Sequence, residues 1–158
     1  MIRARLQIAD GEVLDTKDAY GLIFIDSDKR LAPDLSDIES SEYPAQDGAN
    51  PDTRRVFKKF DYTVTLAIKA PNKDLQNANA KIAAFNKLLY SDSGFGDAKT
   101  FKQVAFYNDH YKVKIVGIPD LIISPDTFYR DSHGRIYDFV QVDWVIHVFN
   151  PNLCDWSI

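Results

Sequence analysis

The chain has 158 residues, 45% of them hydrophobic and 13% aromatic, with a formal net charge of -4. That is enough apolar material for a core, at a length that suits a single domain over 1–158. The acidic balance argues against a surface that coats nucleic acid, the lone cysteine, Cys154, excludes an internal disulfide, and no apolar run approaches the roughly 20 residues needed to span a bilayer.

Ile2–Ile8 alternates apolar and polar residues and predicts a first strand, followed by a turn at Asp10-Gly11. Behind its two arginines there is no continuous apolar stretch, so no signal peptide is expected and synthesis is expected in the cytoplasm. Tyr20–Ile25 predicts a short second strand. Lys29 to Pro51 is rich in Asp, Glu, Ser and Pro and lacks periodicity. It reads as a loop long enough to be functional, for instance by ordering against a neighbouring subunit.

Arg55–Lys69 is the clearest element. Phe60, Tyr62, Val64, Leu66 and Ile68 fall on one side, and Asp61, Thr63, Thr65, Ala67 and Lys69 on the other. A period of two held this long predicts a strand with one buried face. After Pro71-Asn72, residues Leu75, Ala78, Ile82, Phe85 and Leu89 recur at helical spacing, which predicts an amphipathic helix from about Lys73 to Tyr90. Gly94 is the candidate residue closing it. Gln103–Tyr107 and Tyr111–Val116 flank Asn108-Asp109-His110 as a hairpin. Ser132–Arg135 is a polar turn, and Asp138–Asn150 is the second long strand. Val140, Val142, Trp144, Ile146 and Val148 take one side of it; the other side, with Phe139, Val145 and His147, is mixed, so part of it is expected to be covered. These elements predict an α+β, mostly β fold: a curved antiparallel sheet, or a split β-barrel or sandwich, with one α-helix packed on the Phe60–Ile68 side.

No catalytic constellation emerges. Asp131, Ser132 and His133 are adjacent, and side chains that diverge along the backbone cannot orient one another as base and nucleophile. His110 reads as a turn residue. Asp26-Ser27-Asp28 and Asp109-His110 read as solvated strand ends and turns more readily than as metal ligands, so no metal and no cofactor are expected. Gly94-Phe95-Gly96 lacks the third glycine of a dinucleotide loop and follows a helix instead of a strand. Cys154 has no basic sequence neighbour to activate it. The basic cluster Arg54-Arg55 with Lys58-Lys59 has three readings: charge protecting a strand start, a contact with the acidic segment carrying Asp34, Asp37, Glu39 and Glu42, or phosphate binding. Tyr90 and Phe95 are candidate exposed aromatics for a partner, or else satellite core.

A family resemblance runs through Gln46-Asp47-Gly48, Arg54-Arg55-Val56-Phe57, the long Phe-x-Tyr-x-Val-x-Leu-x-Ile strand, the helix ending in Leu88-Leu89, the strand pair Val104–Gly117 and the long terminal strand. With these, from roughly Tyr20 to Asn150, the chain resembles the N-terminal domain of the tailed-phage distal tail protein, the hub joining tail tube to baseplate. It is similar, more loosely, to tail-tube subunits. Many distal tail proteins carry a second, carbohydrate-binding-like domain; none is expected within these 158 residues. The resemblance implies a phage or prophage tail component without catalysis, a hub or tube subunit forming a homo-oligomeric six-membered ring, in contact with other tail proteins and located in the virion tail. It implies neither membrane attachment nor sequence-specific nucleic-acid binding. Subunit contacts are expected at Asp47, Gly48, Arg54 and Arg55. The alternative is a small non-enzymatic ligand- or protein-binding module, using Phe128, Tyr129, Tyr107 and Tyr111.

Overall fold

The two period-two patterns become the middle of a seven-stranded antiparallel sheet. The structure, a computed structural model, describes residues 2–36, 40–42, 49–51, 55–125 and 127–158. In chain order the elements are β1 (Ala4–Ile8), β2 (Val13–Leu14), α1 (Thr16–Tyr20), β3 (Leu22–Ser27), β4 (Asp34–Leu35), β5 (Ser40–Glu42), β6 (Ala49–Pro51), β7 (Phe57–Lys58), β8 (Phe60–Lys69), α2 (Leu75–Asn86), β9 (Tyr90–Asp92), β10 (Lys99–Phe101), β11 (Val104–Asn108), β12 (Val113–Pro119) and β13 (Phe139–Val148). The large sheet runs β2-β1-β11-β12-β13-β8-β3.

β8 and β13 pair along their full length, from Phe60 opposite Val148 to Lys69 opposite Phe139. Their apolar sides are buried as the alternation predicts, including Tyr62, Val64, Ile68, Val140, Trp144 and Ile146. The helix α2 covers this side. Asp74 caps it by accepting the Gln76 N–H, and its stripe of Ala78, Ile82 and Phe85 is buried. The Phe85 ring meets Trp144 edge-on at 5.5 Å between centroids, a geometry favoured by the ring quadrupoles. Fully burying such side chains stabilises by about 1.5–3 kcal/mol each. The result is a curved sheet that does not close into a barrel.

Several boundaries differ from expectation. Asp15 accepts the Lys17 N–H and caps a short helix, α1, where the second strand was expected to begin; that strand starts at Leu22. α2 ends at Asn86, because Leu89 turns fully into the core and the chain goes straight into β9, which pairs with β10. Gly94 therefore does not close the helix. It lies at φ 82° between β9 and β10. The expected long loop contains strands: β4 pairs with β7, and β5 with β6. Phe57–Lys58, expected at the head of the long strand, belongs to that separate pairing.

One rim of the sheet, the outer side of β3, is partly covered within the chain. The long strands are interior, so they expose no edges. The outer rim of β3 is bulged at Ile25. There Phe24 O accepts the Ile2 N–H at 3.1 Å, joining the two ends of the curled sheet, and Leu22 O accepts the Thr16 hydroxyl at 2.9 Å. Where β13 leaves β12, the C-terminal residues take its place, Lys114 pairing with Asp155 and the Ile158 N–H reaching Lys112 O. Blunted edges of this kind discourage strand addition. Among the described residues no helix is long and apolar enough to cross a membrane.

Candidate assembly surface

A surface for assembly has to come from faces and projections. The most distinct projection is the pairing of residues 34–35 with 57–58, continued by 40–42 with 49–51. Its root exposes apolar side chains. Leu35 lies opposite Phe57 in register, and Val56 beside them is 71% exposed. The root is braced by polar contacts. Arg55 Nε donates to Ser36 O at 2.8 Å, and Ser36 Oγ accepts the Val56 N–H at 2.9 Å. Arg30 donates to Asp34 at 2.7 Å and lies 4.4 Å over the Phe60 ring. Exposed apolar groups held on a braced backbone suit a protein contact, because little order is lost on binding.

Arg55 thus sits at this root, bonded within its own chain. Asp47, Gly48 and Arg54 lie outside the described residues, as do Asp37 and Glu39. Within the chain the acidic and basic segments meet as paired strands, Asp34 standing opposite Lys58 while its carboxylate accepts from Arg30.

The histidines occupy three unrelated settings. His110 is exposed beside Tyr111. His133 is exposed in a turn organised by Asp131, whose carboxylate accepts the N–H groups of His133 and Arg135 and the Tyr137 hydroxyl. The Arg135 backbone bond leads in holding the Asp131 carboxyl below its ordinary range. Ser132 is exposed in the same turn. His147 is clamped: Nδ1 lies 2.6 Å from Asp61 and Nε2 2.8 Å from Asp120. The Asp61 hydrogen bond, assisted by Asp120 and opposed by burial, raises the His147 pKa. Two carboxylates on one ring fit an imidazolium with both N–H groups donating. Sequence reading missed this clamp; its only signal was that Asp61 and His147 share the outward side of their strands.

Asp26 and Asp28 also serve local roles. Asp26 accepts the Ser27 N–H, and Asp28 accepts the Arg30 N–H. Among the described residues no three His, Cys, Asp or Glu side chains converge as metal ligands. Burial pushes the Cys154 thiol up, against a backbone bond from Val116. The aromatic residues of the binding-module reading are dispersed. Tyr129 stacks on Phe139 at 5.0 Å, Tyr107 lies under Arg5 and Lys114, and Phe128 and Tyr111 pack against the core. At the tip between β9 and β10, Phe95 is 84% exposed, while Tyr90 packs on Phe101.

A comparison with solved structures gives a likeness of fold. This chain's fold is similar to about half of a phage hub protein. The crystal structure is that of the Dit protein of SPP1, described as a paradigm of the hub adsorption apparatus in phages infecting Gram-positive bacteria. The similarity covers 94% of this chain and 51% of Dit, at a TM-score of 0.54 and 14% sequence identity. At that identity the likeness to Dit is one of fold. No family model and no curated protein matches the sequence.

Proposed function

We propose that this chain is a structural component of a phage or prophage tail, a single assembly domain that forms the ring of a hub or a tube segment and performs no catalysis. The observation that carries the reading is the fold similarity to a hub protein over 94% of the chain. Fold alone never establishes function, so the surface matters as well. The blunted β3 rim and the exposed apolar root at Leu35, Val56 and Phe57 support assembly through faces and projections. The histidines support a non-enzymatic reading, since His147 spends both ring nitrogens on carboxylates and the other two sit exposed in turns.

In this reading the chain works in the virion tail, contacting copies of itself in a six-membered ring and other tail proteins above and below. Asp47, Gly48, Arg54 and Arg55 contribute to those contacts. The test is light scattering over a concentration series, with negative-stain imaging of the largest species. Rings of uniform diameter are expected. A protein that stays monomeric up to millimolar concentration, alone and with a neighbouring tail protein added, would overturn the proposal.

A further inference from the structure

The outward side of the sheet is divided by charge. On β1, β11 and β12 the outward residues include a cross-strand rung in which Arg5 lies opposite Tyr107 and Tyr107 opposite Lys114. Both cations lie over the tyrosine ring, the Arg5 guanidinium carbon at 5.0 Å and Lys114 Nζ at 5.4 Å. The ring holds the two charges in place. Asp109 grips Arg5 through two bonds of 3.0 Å and offsets one of them. By alternation Arg3 falls on the same side, and Lys112 lies at its end, so this half keeps a cationic excess over Asp109, Asp155 and Asp10, which shares a groove with Gln7 and Lys114.

The opposite half has the reverse pattern. Across β3, β8 and β13, Asp26 lies opposite Thr65, and Thr65 opposite Asp143. The Thr65 hydroxyl donates to Asp143 at 3.0 Å and fixes that carboxylate. Asp61 and Asp120 add carboxylates, the His147 imidazolium held between them offsets one, and Lys69 stands at the far end, so this half keeps an anionic excess.

The two rungs match in spacing. In each, the charged residues stand on the outer two of three adjacent strands, so their backbones are two strand spacings, or roughly 10 Å, apart. They also point in different directions. The sheet curls until Ile2 meets Phe24 across its ends, so the outward normals of the two halves diverge.

We infer that the basic rung Arg5–Tyr107–Lys114 of one copy docks on the acidic rung Asp26–Thr65–Asp143 of the next, in a head-to-tail contact. This deepens the ring reading and rests on it. Two different, complementary patches make a heterologous contact, the kind that generates a ring when its rotation closes. Opposed charge fixes the register and disfavours the two like-face pairings.

Charge swaps test it. One variant carries Lys112→Glu and Lys114→Glu, the other Asp26→Lys and Asp143→Lys, and circular dichroism melts check that each is folded. Each alone presents like charge on both faces and is expected to lose about tenfold or more in self-association. Mixed in equal amounts, the two restore both kinds of contact, so assembly returns only in the mixture. Should the double lysine variant fail to fold, Asp143→Lys alone, paired with Lys114→Glu, carries the same test. Wild-type rings with variants that assemble equally well alone, or a mixture that stays dissociated, overturn this contact and leave the ring reading standing. A wild type that never self-associates overturns both.

Discussion

Gly117→Ala is expected to split the sheet at its middle. Gly117 lies in β12, opposite Val104 on one side, where β13 approaches on the other. A Cβ there would stand 2.4 Å from His147 O and 2.9 Å from the His147 carbonyl carbon. Ordinary contact begins near 3.4 Å, so the strands must part by about 1 Å, and a backbone carbonyl cannot swing aside as a side-chain tip would. The pairing at risk is short: Ile118 with His147, Pro119 with Ile146, and the Asp120 N–H to Val145 O. Overpacking costs about 1–3 kcal/mol, and each lost backbone bond adds about 1 kcal/mol. The expected destabilisation is therefore about 2–4 kcal/mol, a fall in melting temperature of roughly 5–15 °C for a chain of this size. Urea denaturation gives the free energy, and hydrogen exchange at Ile118 and Asp120 gives the location. Gly94→Ala is the control. Its site has open space but φ 82°, so only backbone strain of about 1 kcal/mol is expected. A Gly117→Ala protein within 0.5 kcal/mol of wild type, with unchanged exchange at both amides, would refute the close approach of β12 and β13.

The clamp on His147 makes stability depend on pH. Its folded pKa lies above the ordinary 6.5, so its stabilisation is complete below that value and fades as pH rises through the folded one. The side chain is a third exposed, which limits the effect to about 1 kcal/mol or less. His147→Gln should flatten that slope, and an NMR titration of His147 should give a midpoint above 6.5. Asn108 is fully buried, donating to Ser27 Oγ and the Tyr62 hydroxyl and accepting the His110 and Tyr111 N–H groups. Asn108→Ala leaves those groups unpaired and should cost about 1–3 kcal/mol in denaturant unfolding. Cys154, half-buried and with a raised pKa, should react with a thiol reagent at pH 7 more slowly than a free cysteine peptide, and at the peptide's rate once unfolded.

What the sequence revealed were the features written in local periodicity. The alternation of Phe60–Ile68 and Val140–Val148 named the buried sides correctly, because register along a half-buried strand is fixed by which face is apolar. The α2 stripe was legible for the same reason. Short elements held by distant partners were not. β4, β5, β6 and β7 are two or three residues long and exist through pairing across a polar segment. The end of α2 was set by the burial of Leu89, a tertiary event that overrode the helical spacing. The clamp on His147 depends on β8–β13 register and on where the chain turns after β12, neither of which one strand encodes. Of the expected contact residues, Arg55 could be located, and its partner Ser36 is 19 positions away.

The position of the long strands changes how assembly has to be argued. Had they stood at the rims, a ring could form by strand addition, with backbone groups supplying affinity and little demand on side chains. Interior long strands, with β3 blunted on its outer side, narrow that route. In the proposed ring, contacts between copies would then rest mainly on side chains presented by faces and projections, which tolerate sequence change as long as charge and shape remain complementary. A fold shared with Dit at 14% identity fits such a division: the buried apolar pattern preserves the scaffold, while the outward residues are free to be rewritten for particular neighbours. For the proposed ring, the outward positions of β1, β11 and β12 and of β3, β8 and β13 join the projecting root as places where a single substitution reverses a charge without touching the core.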